Sequence, residues 1–444
     1  MAVARVLLAD RYHEPTRALT LRHWRGSWMR WDGPAWSEQE DRTVRADLYH
    51  QVEHALYLNA KGEPTDWAPN RHKMTDLLEA VAAVCHLPQG MQPPSWLNPG
   101  EQTSGVVACT NGLLEVVSRR LQPHTPHYFN EISVPFDYEP DALEPTGWLG
   151  FLDQLWPDDP ESVELLQQWF GYVLSGETNL QKILGIIGPI RSGKGTICRI
   201  LRGLVGVRNV TAPPLSSFGH NFGLQDMIGK PVAIIGDVRL GGGEQSAVVE
   251  RLLSISGEDT ITLDRKYKEP WTGQLPTRIM FVSNELPRFG DASGAVATRC
   301  LLLETRRSWL GEEDKTLTRR LLAELPGVLN WALDGLRTLA EAGRFTEPKS
   351  SADTLTALAD LVSPISAFVR DRCHVGPDLE VACAELYQGW REWADENGHK
   401  AGTAQVFGRD LRAVIPGLRV TRPRIGTDDS QVRVYVGVAL KHHR

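Results

Sequence analysis

In ILGIIGPIRSGKGTICRIL (183–201) an apolar stretch, two spaced glycines, a lysine and a run of helical spacing follow one another. Glycines at 188 and 193 let the backbone curl so that successive N–H groups face inward. A helix that starts directly behind them adds its own free amides, and the two together form a cradle for phosphate oxygens. Residues Gly188, Pro189, Ile190, Arg191, Ser192, Gly193, Lys194, Gly195 and Thr196 make up that cradle. Lys194 is the side chain expected to reach the β- and γ-phosphates of a nucleoside triphosphate, with ATP as the cofactor. Gly195 stands where a Ser or Thr usually follows the lysine. The hydroxyl expected to face Mg²⁺ therefore moves to Thr196, with water completing the metal's shell.

Two further strand ends add polar groups of the right kind. KPVAIIGDVRL (230–240) is an apolar strand closing on Asp237, a second expected Mg²⁺ ligand and a group able to polarise an attacking water. RIMFVSNELPRFGD (278–291) closes on Asn284, whose amide can orient that water or contact the terminal phosphate. Between them, Arg265, Lys266 and Lys268 bracket Tyr267 close to a turn. Cations interleaved with an aromatic ring suit a loop that grips phosphates and stacks on a base of single-stranded DNA.

The elements that must position these groups are short apolar strands alternating with helices, as a parallel α/β sheet requires. Strands are expected at 183–188, 231–237, 278–284 and 299–304, and a strong helix at 325–343. Upstream, LTLRHWRGSWMRWDGPAWSE (19–38) reads as a hairpin around Asp32-Gly33, and helical spacing covers 44–58 and 74–87. Trp24, Trp28, Trp31 and Trp36 are expected to fill a core. Proline-rich stretches at 88–99 and 135–145 read as loops, and 344–354 as a polar linker. Helices near 361–373, 383–397 and 403–413, followed by two strands around a turn at 426–430, predict a small winged-helix domain. The expected division is therefore 1–145, mixed α+β; 146–345, an α/β P-loop NTPase core; and 346–444, winged helix.

Length and composition fit this plan. A chain of 444 residues exceeds one core and predicts two or three domains. With 41% hydrophobic and 23% charged residues, no apolar run near 18 and no secretory leader pattern, a cytoplasmic protein is expected. A net charge of −7 bears on solubility more than on any local DNA surface. The six cysteines show no CxxC pair or zinc-ligand spacing, and are expected to be reduced core residues.

Glycine-rich loop, strand-Asp, basic hairpin and strand-Asn, all inside roughly a hundred residues, resemble the superfamily 3 helicases, in particular the primase-helicases of phages, plasmids and poxviruses. The segments at 108–142 and 165–188 also resemble the region preceding the helicase core in the phage and plasmid group. The resemblance implies an AAA+-like, ring-forming, hexameric ATPase that draws single-stranded DNA through its centre, in the 3′ to 5′ direction, and unwinds forked duplex. It makes Lys194 the phosphate lysine, Asp237 the Walker B acid and Asn284 sensor 1. Lys266 and Lys268 become part of the pore hairpin. Arg299, in GAVATRCLLLE, becomes an arginine finger serving the neighbouring subunit, with Arg306 or Arg307 as substitutes. Relatives often carry an acidic pair where this chain has Gly236-Asp237, and a primase domain for which residues 1–145 show no acidic motif set. Primer synthesis is therefore expected to fall to a separate primase. Two other readings share the loop: a replication initiator or helicase loader that does not unwind, and a nucleoside monophosphate kinase, in which GKGT also occurs.

Overall fold

In the computed structural model of the chain, the residues described are 1–13, 18–88, 90–91, 93–98, 105–116, 118–220, 222–236, 245–266, 268–287, 289, 294–422 and 432–441. Helices α1 (Ala2–Arg11), α2 (Asp41–Val52) and α3 (Arg71–Cys85) open the fold. In α3, Met74, Leu77, Val81 and Cys85 recur at helical spacing, and this stripe buries against Leu8 of α1 and Val44 and Leu48 of α2. The Asn70 side chain caps α3 by accepting from the Lys73 N–H. Strands β1 (Leu21–Trp24), β2 (Ser27–Trp31) and β3 (Trp36–Gln39) form a meander. The expected hairpin at Asp32-Gly33 is its second turn, with Trp31 opposite Trp36, and Arg25-Gly26 makes an earlier turn. Trp24, Trp28 and Trp36 are buried and Trp31 is half-buried, so these rings pack a core. Strands β4 (Leu56–Leu58) and β5 (Pro64–Asp66) pair on the surface, and β6 (His86–Leu87) joins β1.

After β7 (Ser95–Trp96) come β8 (Val106–Cys109), β9 (Gly112–Glu115) and β10 (Arg120–Gln122), a three-stranded sheet, and β11 (Tyr128–Phe129), which pairs with β7. Helices α4 (Thr146–Leu155) and α5 (Pro160–Ser175) lead to the central sheet. Its strands are β12 (Ile183–Ile187), β13 (Val210–Thr211), β14 (Val232–Gly236), β17 (Arg278–Ser283) and β18 (Cys300–Glu304), all parallel, in the order β13-β14-β17-β12-β18. These strands are apolar on both sides because helices cover both faces. One face holds α4, α5, α6 (Lys194–Val205) and α10 (Leu325–Ala342), with short α9 (Leu317–Leu322) beside them. The other holds α7 (Gln245–Ser256), α8 (Ala295–Arg299) and α11 (Ala352–Val362). Helices α5 and α10 touch backbone to backbone, since a Cβ on Gly171 or Gly335 would lie 2.4 Å from a carbonyl oxygen of the other helix. Strands β15 (Ile261–Arg265) and β16 (Lys268–Gly273) form a hairpin outside the sheet.

Packing divides the chain elsewhere than its loops do. Val107, Cys109, Leu114 and Val134 share a core with Leu184 and Ile186 of the central sheet and not with α1–α3, while Phe129 packs on Trp24 and Trp36 of the meander. Leu358 and Val362 of α11 share the other core with Val296 and Leu302. The expected polar linker is a docked strap. Phe345 is buried against Trp169 and Tyr172, Thr346 exchanges two hydrogen bonds with Gln168, Lys349 N–H donates to Glu161, and Ser350 Oγ donates to Asp159. Its polarity serves to cap and line α5.

A separate core begins at Ile365 and unites α12 (Pro364–Arg372), α13 (Cys383–Glu396) and α14 (Ala404–Val414) with the sheet β19-β21-β20. The sheet's strands are β19 (Cys373–Ala382), β20 (Arg419–Thr421) and β21 (Val434–Leu440). Helices and closing strands match the expectation, β19 is additional, and the turn at 426–430 lies outside the described residues. Cys85, Cys109, Cys300 and Cys373 are buried, and burial pushes their thiols up to about 12. Among the described residues no single helix is long and apolar enough to cross a membrane.

Candidate functional site

The glycine-rich loop joins the carboxyl end of β12 to α6. Gly188 has φ +155°, and a Cβ there would lie 2.1 Å from the Thr305 carbonyl oxygen. Gly193 has φ +90°, with Leu155 Cδ2 2.8 Å from its Cβ position. A glycine is therefore required at both. Gly193 is also the N-cap of α6 and contributes no side-chain cap, so the helix's first amides face the loop's interior without competition from one.

Lys194 is buried, and desolvation lowers its pKa. Its ammonium donates to the carbonyls of Gly188 and Pro189, both at 2.6 Å, and lies 3.2 Å from Ser192 Oγ and 3.2 Å from Asn284 Oδ1. Three N–H bonds facing four acceptors cannot satisfy all of them at once, so one of the two longer contacts is open to exchange. Asn284 reaches Lys194 because β17 lies next to β12 in the sheet, with Leu184 opposite Met280 and Ile187 opposite Ser283. Two groups 90 residues apart in sequence thus share one edge.

The other expected residues fall in different places. Asp237 and Tyr267 lie outside the described residues. The Thr196 hydroxyl accepts from Arg199 Nη2 at 3.1 Å on the same helix, and a guanidinium at that distance opposes a divalent cation. Arg191 has its Nε 3.3 Å from Glu313 Oε1, while Ile190 is exposed. Arg265 Nε donates to the Glu269 carbonyl within the β15–β16 hairpin, and Lys266 N–H donates to Gln225 Oε1. That hairpin precedes the start of β17, so it emerges at the sheet edge opposite the glycine-rich loop, and β17 runs from its base to Asn284. Arg299 ends α8 at the start of β18, and its Nη1 donates to the Leu253 carbonyl and, at 2.8 Å, to Ser256 Oγ. Since Ile183 pairs with Cys300 and Ile187 with Glu304, Arg299 stands a full strand length from its own chain's loop. Arg306 and Arg307 follow the other end of β18, beside the loop, ion-paired to Glu304 and Glu312.

Residues that no motif marked brace the loop from outside. Ser308 Oγ donates to the Ile190 carbonyl at 2.8 Å and Trp309 N–H to the Arg191 carbonyl at 2.9 Å. Beside Leu155, which packs on Gly193, opens a cleft of about 700 Å³ walled by Trp156, Asp159, Glu304, Arg306, Lys349 and Ser350. Only the run of Thr, Ser and Trp directly after β18 carries any signal of this bracing, and that signal is weak.

Comparison with known proteins places this architecture. Residues 6–157 match a family model described as "D5 N terminal like". Residues 186–300 match one described as a family of unknown function, DUF5906, and that span takes in the glycine-rich loop, the basic hairpin and Asn284. Among solved structures the chain is similar to the apo structure of NrS-1 C terminal region (305-718), with 11% identity, 98% of each chain covered and a TM-score of 0.56. It is also similar to the A form apo structure of NrS-1 C terminal region-CTR, with 10% identity, 98% of each chain covered and a TM-score of 0.54. At such identity the likeness establishes a shared fold over the whole chain.

Proposed function

We propose that this chain is an ATP-hydrolysing, ring-forming DNA motor, a replicative helicase of the superfamily 3 kind. The observation that carries the reading is the meeting of Lys194 Nζ and Asn284 Oδ1 at 3.2 Å, where two adjacent parallel strands end. Phosphates bind outside the carboxyl ends of such strands. The glycine-rich loop and the start of α6 supply amides to the polyphosphate, and Lys194 turns from Asn284 to β- and γ-phosphate oxygens while Ser192 keeps its hold on the ammonium. Asn284 orients the attacking water. The cleft lined by Leu155 and Trp156 accommodates the base and sugar.

The donor set fits a Mg²⁺-bound nucleotide in part. Asp237 and Thr196 would hold the ion, the Thr196 hydroxyl on release from Arg199, with water completing the shell. The bound ion neutralises charge on the phosphates. Arg299, too far from its own chain's loop, serves the ATP of a neighbouring copy in a homo-oligomeric ring, where a positioned cation stabilises the departing phosphoryl group. Arg265, Lys266, Tyr267 and Lys268 grip single-stranded DNA, and the exposed Arg409 and Arg412 of α14 contact duplex backbone. The family resemblance adds 3′ to 5′ polarity, a phage or mobile-element setting and a separate primase.

The test is unwinding of a forked duplex by the wild type beside Lys194→Ala. ATP-dependent unwinding that vanishes in the variant supports the motor. If neither unwinds while the wild type hydrolyses ATP on DNA, the protein is an initiator or loader. Phosphate transfer from ATP to a nucleoside monophosphate would instead establish a kinase.

A further inference from the structure

We propose that Thr305, which lies in no motif, is the positioning residue for the phosphate lysine, an inference that rests on the nucleotide reading of the loop. Thr305 and Ser192 are each about 1% exposed, and their hydroxyl oxygens are 2.7 Å apart across 113 residues of sequence. Thr305 Oγ1 is also 3.2 Å from the Ile187 carbonyl, and Ser192 Oγ is 3.2 Å from Lys194 Nζ. With all three contacts formed as hydrogen bonds, the two ends fix the direction of each. An ammonium only donates and a carbonyl only accepts. Lys194 therefore donates to Ser192, Ser192 to Thr305, and Thr305 to Ile187.

In that arrangement the Ser192 lone pair must point at the lysine, because its proton is committed to Thr305. Aligned hydrogen bonds in a dry site reinforce one another. The Thr305 backbone holds the same place from both sides, its N–H donating to the Ile187 carbonyl at 2.8 Å and its carbonyl oxygen closing over Gly188. Without the Thr305 hydroxyl, Ser192 is free to rotate its proton toward Lys194, which presents a like-signed dipole to the ammonium and releases it from the loop.

Binding of a fluorescent ATP analogue to the full chain, with thermal unfolding alongside, tests this. Thr305→Val keeps the shape and removes the hydroxyl, and it is expected to weaken binding about five- to tenfold, the effect of one buried hydrogen bond, with the unfolding midpoint little changed. Thr305→Ser keeps the hydroxyl and loses a methyl group, and it is expected to bind within about twofold of wild type despite its small cavity. Ser192→Ala should weaken binding as Thr305→Val does, and the double variant should lose no more than either alone, because both break one chain. Wild-type affinity in Thr305→Val, a serine variant as weak as the valine one, or additive losses in the double variant would overturn the proposal while leaving the nucleotide site standing. Absence of nucleotide binding by the wild type itself would overturn both.

Discussion

Two glycines of the same loop should respond in opposite ways to the same substitution. At Gly188 an added Cβ lies 2.1 Å from the Thr305 carbonyl oxygen and 2.2 Å from Thr305 Oγ1, so something must move by about 1 Å to restore ordinary contact. Thr305 is poorly able to yield, since its N–H is bonded to the Ile187 carbonyl and its hydroxyl to Ser192. Overpacking of this kind costs about 1–3 kcal/mol. The φ of +155° adds about 1–2 kcal/mol for a residue with a side chain. Borne by the loop conformation, a total of about 2–5 kcal/mol lowers nucleotide affinity by about 30-fold or more. At Gly195 the nearest atom to the new Cβ is Arg199 Nη1 at 3.4 Å, and the residue lies within α6. Gly195→Ala is expected to leave affinity within about twofold and to raise stability by about 0.5–1 kcal/mol through helix propensity. Titration with a fluorescent nucleotide and thermal unfolding of both variants measure this. Gly188→Ala binding like wild type, or Gly195→Ala losing binding, would show that the loop does not sit against Thr305 in the functional protein.

Other expectations concern the seam between the layers and the assembly. Burial, with Glu38 nearby, pushes the Glu131 carboxyl up to about 7, against the pull of Arg25 and Lys230. The native state then keeps a proton that the unfolded chain releases near 4.5, so stability falls as pH rises from 4.5 to about 7, by at most about 3 kcal/mol. The unfolding midpoint should therefore drop more between pH 5 and 8 in wild type than in Glu131→Gln, and equal drops would refute the assignment. Arg278, buried at 3% exposure, donates to the carbonyls of Pro276 and Val173, and Arg278→Ala, which leaves both unsatisfied, should destabilise by about 2–4 kcal/mol in denaturant unfolding. A change under about 1 kcal/mol would show those carbonyls to be otherwise satisfied. A chain ending at residue 363 should keep nucleotide binding. One ending at 345 loses Leu358 and Val362 from the core of the central sheet, and should melt markedly lower. Mixing Lys194→Ala with Arg299→Ala protomers should restore ATPase activity at about a quarter of the interfaces, where an intact lysine meets an intact arginine. No recovery in mixed rings would remove Arg299 from the neighbour's site.

The glycines, Lys194 and the apolar strands were legible because each is a contiguous signal in which the local backbone requirement and the residue type coincide. Asn284 was legible by its order after the loop, yet its 3.2 Å approach to Lys194 depends on β17 lying beside β12, which only strand pairing decides. The strap at 344–354 looked like a linker because its residues are polar, and its partners Glu161 and Gln168 are nearly two hundred residues away. Arg299 carried the expected residue type at the expected place, while the sheet register alone shows that it stands at the edge opposite its own loop. The Thr196 hydroxyl accepts from Arg199 one helical turn on, a contact that the helix geometry sets. Thr305 carried at most a weak signal, since a threonine after a strand is ordinary until the fold sets its hydroxyl against Ser192, 113 residues earlier. Backbone curvature and periodicity are written locally, whereas the direction of a hydrogen bond between distant side chains exists only once packing has brought them into reach.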